Sequence, residues 1–227
     1  MTEIRTAATL VLLRDGNGAI EVLLLQRPDR GSFAGGWVFP GGRVEPADAV
    51  GIDAGERDAA DVAAAEAVAR RAAVRETREE TGLVVDPATL VPLSHWSPPA
   101  QLDTKFLTWF FIAKAPDGEI VPQPSEVVAH EWLRPADALK RHGASSLRLF
   151  PPTWVTLDTL LAYPTVEAAL AAVAQHELRV YETKQDAARG LALWAGDEAY
   201  ADGAADTEEG PRHRLHVGQL PWRFEHR

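Results

Sequence analysis

Arg75-Glu76-Thr77-Arg78-Glu79-Glu80-Thr81-Gly82-Leu83 is the stretch whose reading decides the fold. It closes an Ala-rich segment, from about Asp58 to Thr81, that holds neither Gly nor Pro and so predicts a helix of roughly six turns. Asp58 or Asp61 is the expected N-cap, and Gly82 suits the left-handed position just past the C-terminus. Glu76, Glu79 and Glu80 stand in i, i+3, i+4 relation, so three carboxylates share one helical face. Each like-charged pair costs roughly 0.2–0.5 kcal/mol in an isolated helix, and acids in a last turn oppose the macrodipole at about 0.3–1 kcal/mol each. A bound cation would relieve both penalties. The chain has no cysteine, and all-oxygen ligands without clustered His point to a hard ion, Mg2+ or Mn2+. The plainer reading is a solvated acidic face with Arg75 paired to Glu79.

Upstream, Thr6–Leu13 and Ile20–Gln26 are apolar runs around Asp15-Gly16-Asn17-Gly18, which predicts an antiparallel hairpin. Gly31–Gly42 sets glycines around Trp37-Val38-Phe39, read as loop, short strand and a second loop closed by Gly41 and Gly42. Downstream, Leu83–Val85, Leu90–Trp96, Phe106–Ala113 and Val127–Leu133 carry strand composition, and Pro135–Arg141 that of a short helix. Thr153–His176 predicts two short helices broken near Pro164. A tail from about Glu177 has strands expected at Leu178–Tyr181, Leu191–Trp194 and Arg214–Val217. The expected organisation is a core over 1–145, a helical segment over 146–176 and a small β-rich tail over 177–227 that packs on the core or on a second subunit.

The spacing RExxEExG after a GG loop resembles the signature of the Nudix hydrolases, Gx5Ex7REUxEExGU with U apolar. Gly42 fits the leading glycine, and Arg75, Glu76, Glu79, Glu80, Gly82 and Leu83 fit the second half. Three positions depart from it. Asp48 stands where Glu is expected, Thr77 is polar at the first U, and 26 residues separate Asp48 from Arg75 where the pattern has seven. This is an insertion of about 19 residues, over roughly 49–67, which loop closure tolerates at little entropic cost. The resemblance implies an α/β/α sandwich with a mixed β-sheet and a metal-dependent pyrophosphohydrolase. It makes Glu79 and Glu80 the principal metal ligands, Glu76 a ligand or general base, Gly41 a carbonyl ligand and Arg75 the residue that orients a Glu. Glu126, in the loop before the strand ending Glu131-Trp132-Leu133, is the second candidate base. Glu45 and Glu66 are further acids near the site, each more simply read as solvated.

The stretch LLLQRPDRGSFAGGWVFPGGRV from Leu23, with the long insertion and SPPAQLDTKFLTWFF, is similar to the coenzyme A diphosphatase-like branch. That resemblance implies cleavage of CoA or acyl-CoA to adenosine 3′,5′-bisphosphate and (acyl-)phosphopantetheine. Arg27, Arg30, Arg43 and Lys105 are then the candidate phosphate-binding cations, since Arg forks bind phosphate bidentately. ADP-ribose, nucleotide sugars and dinucleoside polyphosphates are the alternative substrates, and a non-catalytic nucleotide sensor is the alternative role.

Composition narrows the classes further. The 227 residues carry 23 Lys plus Arg against 33 Asp plus Glu, a net charge of −10 that disfavours a nucleic-acid backbone as partner. No run approaches the ~20 apolar residues of a membrane span. The expectation is a soluble, unprocessed cytoplasmic protein acting on a small nucleotide diphosphate, with a homodimer left open.

Overall fold

The computed structural model describes residues 3–31, 33–52, 59–99, 104–201, 203–204 and 206–227, with backbone alone for 3–4, 59–61 and 104–105. The expected N-caps Asp58 and Asp61 therefore lie outside the described side chains.

Strand β1 (Glu3–Asp15) runs through the centre of an eight-stranded mixed sheet. Its end pairs antiparallel with β2 (Ile20–Gln26), Leu13 opposite Val22 and Asp15 opposite Ile20, as the hairpin reading requires. Its first half pairs on that same side with the short β4 (Gly41–Arg43), and its other side runs parallel to β6 (Thr104–Lys114). β5 (Val91–Ser97) lies antiparallel to β6. β3 (Trp37–Val38) and β7 (Ala129–Leu133) both pair with β2. Gly41 and Gly42 are thus strand residues, not the close of a loop. Leu83–Val85, expected as a strand, has no ladder partner among the described residues; Leu83 and Val85 bury alternate side chains under the helix from an irregular segment.

A central strand covered on both faces reads as a continuous apolar run, and β1 does. Ala8, Leu10 and Leu12 face one cluster with Leu23 and Leu25, while Val11 and Leu13 face the other with Val22 and Leu24. Helix α1 (Ala59–Thr81) covers the first face through Ala69, Ala72 and Ala73, all fully buried. Helices α2 (Pro135–Gly143), α3 (Pro151–Leu160) and α4 (Val166–Gln175) supply side chains to the second. The architecture is the expected α/β/α sandwich.

The segment from 177 onward first adds β8 (Arg179–Glu182) parallel to β5, at the edge of the main sheet. It then forms a four-stranded antiparallel sheet from β9 (Lys184–Asp186), β10 (Leu191–Leu193), β11 (His213–His216) and β12 (Arg223–His226). Trp96 stacks on Tyr181 with ring centroids 3.9 Å apart, and Trp194 meets both edge-on, so this sheet shares the second core.

Inside the small sheet the Asp197 carboxylate is fully buried. It accepts Arg214 Nη2 (2.5 Å) and Nε (2.7 Å) and the amides of His213 and Ala199. Burial alone would push this carboxyl up; these hydrogen bonds outweigh it and hold it at about 2 against an ordinary 3.8. A depressed folded-state value means stability present above about pH 4 and lost as pH falls towards 2, roughly 2 kcal/mol in all. Urea unfolding of wild type and Asp197→Asn should therefore differ most at neutral pH and converge between pH 4 and 2. A difference independent of pH would contradict this.

Candidate active site

Continuing the buried Ala69, Ala72, Ala73 stripe at helical spacing brings Glu76, Thr77 and Glu80 onto the side of α1 that faces the sheet. The stripe turns polar in its last two turns. Glu80 is 1% exposed and Thr77 fully buried, its Oγ1 without a hydrogen-bond partner among the described residues. Glu79 falls off the stripe and its side chain is 56% exposed.

The helix stops where Gly82 takes φ 75° and its N–H donates to Arg78 O (2.8 Å). Its last carbonyls are then capped from outside: Val121 N–H donates to Thr81 O (2.8 Å) and Gln123 N–H to Glu80 O (3.2 Å). The same loop turns at Gln123, whose carbonyl accepts Glu126 N–H (3.0 Å), and so delivers Glu126 to the helix end. One carboxylate oxygen each from Glu76, Glu80 and Glu126 lie within 4.8 Å of one another.

Glycines make room for this cluster. A Cβ on Gly41 would stand 2.4 Å from the Ala8 carbonyl oxygen, and one on Gly42 would stand 2.4 Å from the Glu76 carboxyl carbon. The close approach lets Gly41 N–H donate to Glu80 Oε2 (2.9 Å), while Arg27 Nη1 donates to Glu80 Oε1 (2.5 Å). Even with both, burial pushes the Glu80 carboxyl up to about 7. Burial likewise raises Glu76, against the pull of Arg75 and with the help of Glu79 and Glu126.

Arg75 ties the flank together. It holds Asp48 through Nε (3.1 Å) and Nη2 (3.0 Å), Glu76 and Glu79 through Nη1 (3.0 and 3.1 Å), and the Arg43 carbonyl through Nη2 (2.8 Å). Asp48 is buried, and its Oδ2 also accepts Glu45 N–H (2.8 Å). Burial would raise its carboxyl, but Arg75 and the Glu45 amide hold it below the usual range. Arg71 donates to the carbonyls of Asp48 (3.2 Å) and Val50 (2.6 Å), fastening this segment to the helix.

The model of the NUDIX domain matches residues 4–152. This chain belongs to the NUDIX family. Among solved structures, a NUDIX hydrolase from Alicyclobacillus acidocaldarius is similar over 79% of this chain and 98% of its own, at 27% identity and a TM-score of 0.65. The NUDIX domain of Shewanella oneidensis NrtR, complexed with ADP ribose, shares the fold over 71% of this chain and 89% of its own, at 17% identity and a TM-score of 0.52. No curated protein sequence matches the chain. Family and fold together make the protein a pyrophosphohydrolase of the class that generally needs a divalent metal ion.

The residues expected at the site lie at different depths and with different partners. Glu76, Glu80 and Glu126 come together, and the exposed Glu79 pairs with Arg75, sharing its Nη1 with Glu76. Gly41, expected to offer its carbonyl to a cation, meets Glu80 through its amide. Arg27 touches Glu80 and reaches Glu126 at 3.7 Å, and Arg30 Nη2 donates to Ser125 O (3.4 Å). Arg43 lies over the Phe106 ring at 5.4 Å. The Lys105 side chain lies outside the described residues. Glu66 is occupied by Arg70, and Glu45 is exposed and meets Asp48 through its backbone. Asp48 as the buried partner of Arg75 was not foreseen, although its offset from Gly42 signalled it. The donor set is three hard carboxylate oxygens, and this fits a hard divalent cation better than a soft one.

Because the Glu76 carboxyl is the flexible end of a side chain, Gly42→Ala should displace it at little cost to the fold. The expected result is kcat down about 10–100-fold, as for other losses of ligand support, with a melting temperature close to wild type. Unchanged kcat would remove Glu76 from the working site.

Proposed function

We propose that the protein hydrolyses the P–O–P linkage of a nucleoside diphosphate derivative, with Mg2+ or Mn2+ held by Glu76, Glu80 and Glu126, and with CoA and acyl-CoA as its leading substrates. The observation that carries the reading is the convergence of these three carboxylates at the end of α1. When bound, the ion supplies Lewis-acid charge neutralisation at the bridging diphosphate.

The chain's own residues account for the rest. Glu80 is fixed by Gly41 and Arg27, and Glu76 by Arg75, so two carboxylates are held before any substrate arrives. Glu126, half exposed, is the most open of the three, and its carboxylate oxygen not offered to the ion takes the proton of the attacking water. The water oxygen bonds to phosphorus, one bridging P–O bond breaks, and two phosphomonoesters leave. Arg27 and Arg30, on the strand end and loop beside Glu126, are placed to meet phosphate oxygens. The CoA reading is supported by the sequence resemblance of 23–44 and those arginines, and a cysteine-free chain suits a reducing cytoplasm.

The test is product analysis across CoA, acetyl-CoA, a long-chain acyl-CoA, ADP-ribose, NADH and diadenosine polyphosphates, with either ion and with chelator. Metal-dependent adenosine 3′,5′-bisphosphate from CoA species is the expected result. Preference for ADP-ribose or a dinucleotide would keep the reaction and discard the CoA reading. No turnover of any member would overturn the function.

A further inference from the structure

We infer that Arg27 is a built-in stand-in for the metal ion, holding the carboxylates together without it and leaving them when it binds. This rests on the metal-dependent reading above. One atom carries the argument: Arg27 Nη1 lies 2.5 Å from Glu80 Oε1 and 3.7 Å from Glu126 Oε2, so a single nitrogen spans two of the three clustered carboxylates. An ion held jointly by Glu80 and Glu126 would need carboxylate oxygens that this nitrogen already engages. Guanidinium and ion would compete for those oxygens, and two cations so close repel. The position is also one that needs a cation, because a buried carboxylate with its charge uncompensated is costly.

Glu80 does not depend on Arg27 alone. The Gly41 N–H keeps its other oxygen, so the carboxylate stays aimed at the cluster after the guanidinium departs. Arg27 is about a quarter exposed and can swing outward, where Arg30 already reaches the Ser125 carbonyl of the same loop as Glu126. An arginine released at that point meets the diphosphate as it arrives. Metal binding and substrate binding then reinforce one another, each by the same factor.

The sign of one measurement separates this from a merely supporting role. If Arg27 only steadied Glu80, its loss would weaken metal binding; as a competitor, its loss strengthens it. Binding of Mn2+ alone to chelator-stripped full-length protein, read from the free-ion electron paramagnetic resonance signal, should be tighter in Arg27→Gln by on the order of tenfold. Arg30→Gln, which removes a nearby charge from no carboxylate, should leave the affinity near wild type. Equal or weaker binding by Arg27→Gln, or an equal gain in Arg30→Gln, overturns the inference. Should Arg27→Gln fail to fold, the wild-type Arg27 15Nε–H resonance decides: Mg2+ should move it towards that of a free arginine, and an unmoved signal overturns the exchange. Wild type that binds no Mn2+ contradicts the proposed function and this inference with it. Wild type that binds Mn2+, with Arg27→Gln no tighter, contradicts this inference alone.

Discussion

Glu80→Gln is expected to lower kcat about 10^3-fold or more at saturating Mn2+ while the protein stays folded. The magnitude follows from losing several kcal/mol of charge stabilisation at the reacting phosphate, with each 1.36 kcal/mol worth tenfold in rate. The fold should survive because the side chain keeps its shape. The amide oxygen can still accept Gly41 N–H, and removing the charge relieves the burial that pushes this carboxyl up to about 7. Its NH2 then faces Arg27 donor to donor, which costs on the order of 1 kcal/mol. Circular dichroism and thermal unfolding check the fold, and kcat checks the role. A loss of less than about tenfold would take Glu80 out of the metal site.

Arg75→Gln carries the largest expected effect on stability. It leaves Asp48 buried with the Glu45 amide as its one side-chain hydrogen bond among the described residues, and removing one partner of a buried pair costs about 3–5 kcal/mol. Arg75 is itself about a quarter exposed, so the low end, about 3 kcal/mol, is the expectation. For a chain of this size that lowers the melting temperature by about 6–12 °C. Activity should fall a further 10–100-fold, since Glu76 loses the guanidinium that aims it. The Asp48→Asn, Arg75→Gln double-mutant cycle apportions the pair, and a coupling below about 0.5 kcal/mol would show that the two side chains do not act together.

The residues that made the fold legible are those whose period the core enforces. β1 and β2 bury alternate side chains on two faces, and α1 presents Ala69, Ala72 and Ala73 at helical spacing, so hairpin and long helix were readable from pattern alone. Gly41 and Gly42 were read as loop because their composition is that of a turn; what makes them strand is the ladder to Ala8 and Thr9, a tertiary fact. Leu83–Val85 had the opposite fate: apolar alternation served burial under α1 without a strand partner. β9 and β12 were missed because Lys184–Asp186 and Arg223–His226 are polar edge segments with little alternation.

At the site, the spacing of the Glu residues placed them on one helical side but not at one depth. The Ala stripe carried that information, since extending it selects Glu76 and Glu80 and passes over Glu79. Glu126 was reachable only as a loop acid in the right order along the chain; the capping of Thr81 and Glu80 carbonyls by Val121 and Gln123 is what brings it in. For Asp48 the offset from Gly42 was legible, but its pairing with Arg75 was not, because the two stand 27 positions apart along the chain.

The most direct test of the central claim is the initial rate of P–O–P cleavage by chelator-stripped protein as Mg2+ or Mn2+ is added back. CoA and ADP-ribose are the substrates, and both products are identified. Almost no rate is expected without metal, with a saturable rise on its return and two phosphomonoesters from each substrate. A rate that ignores metal and chelator alike, or cleavage at an ester bond instead of the anhydride, would contradict it.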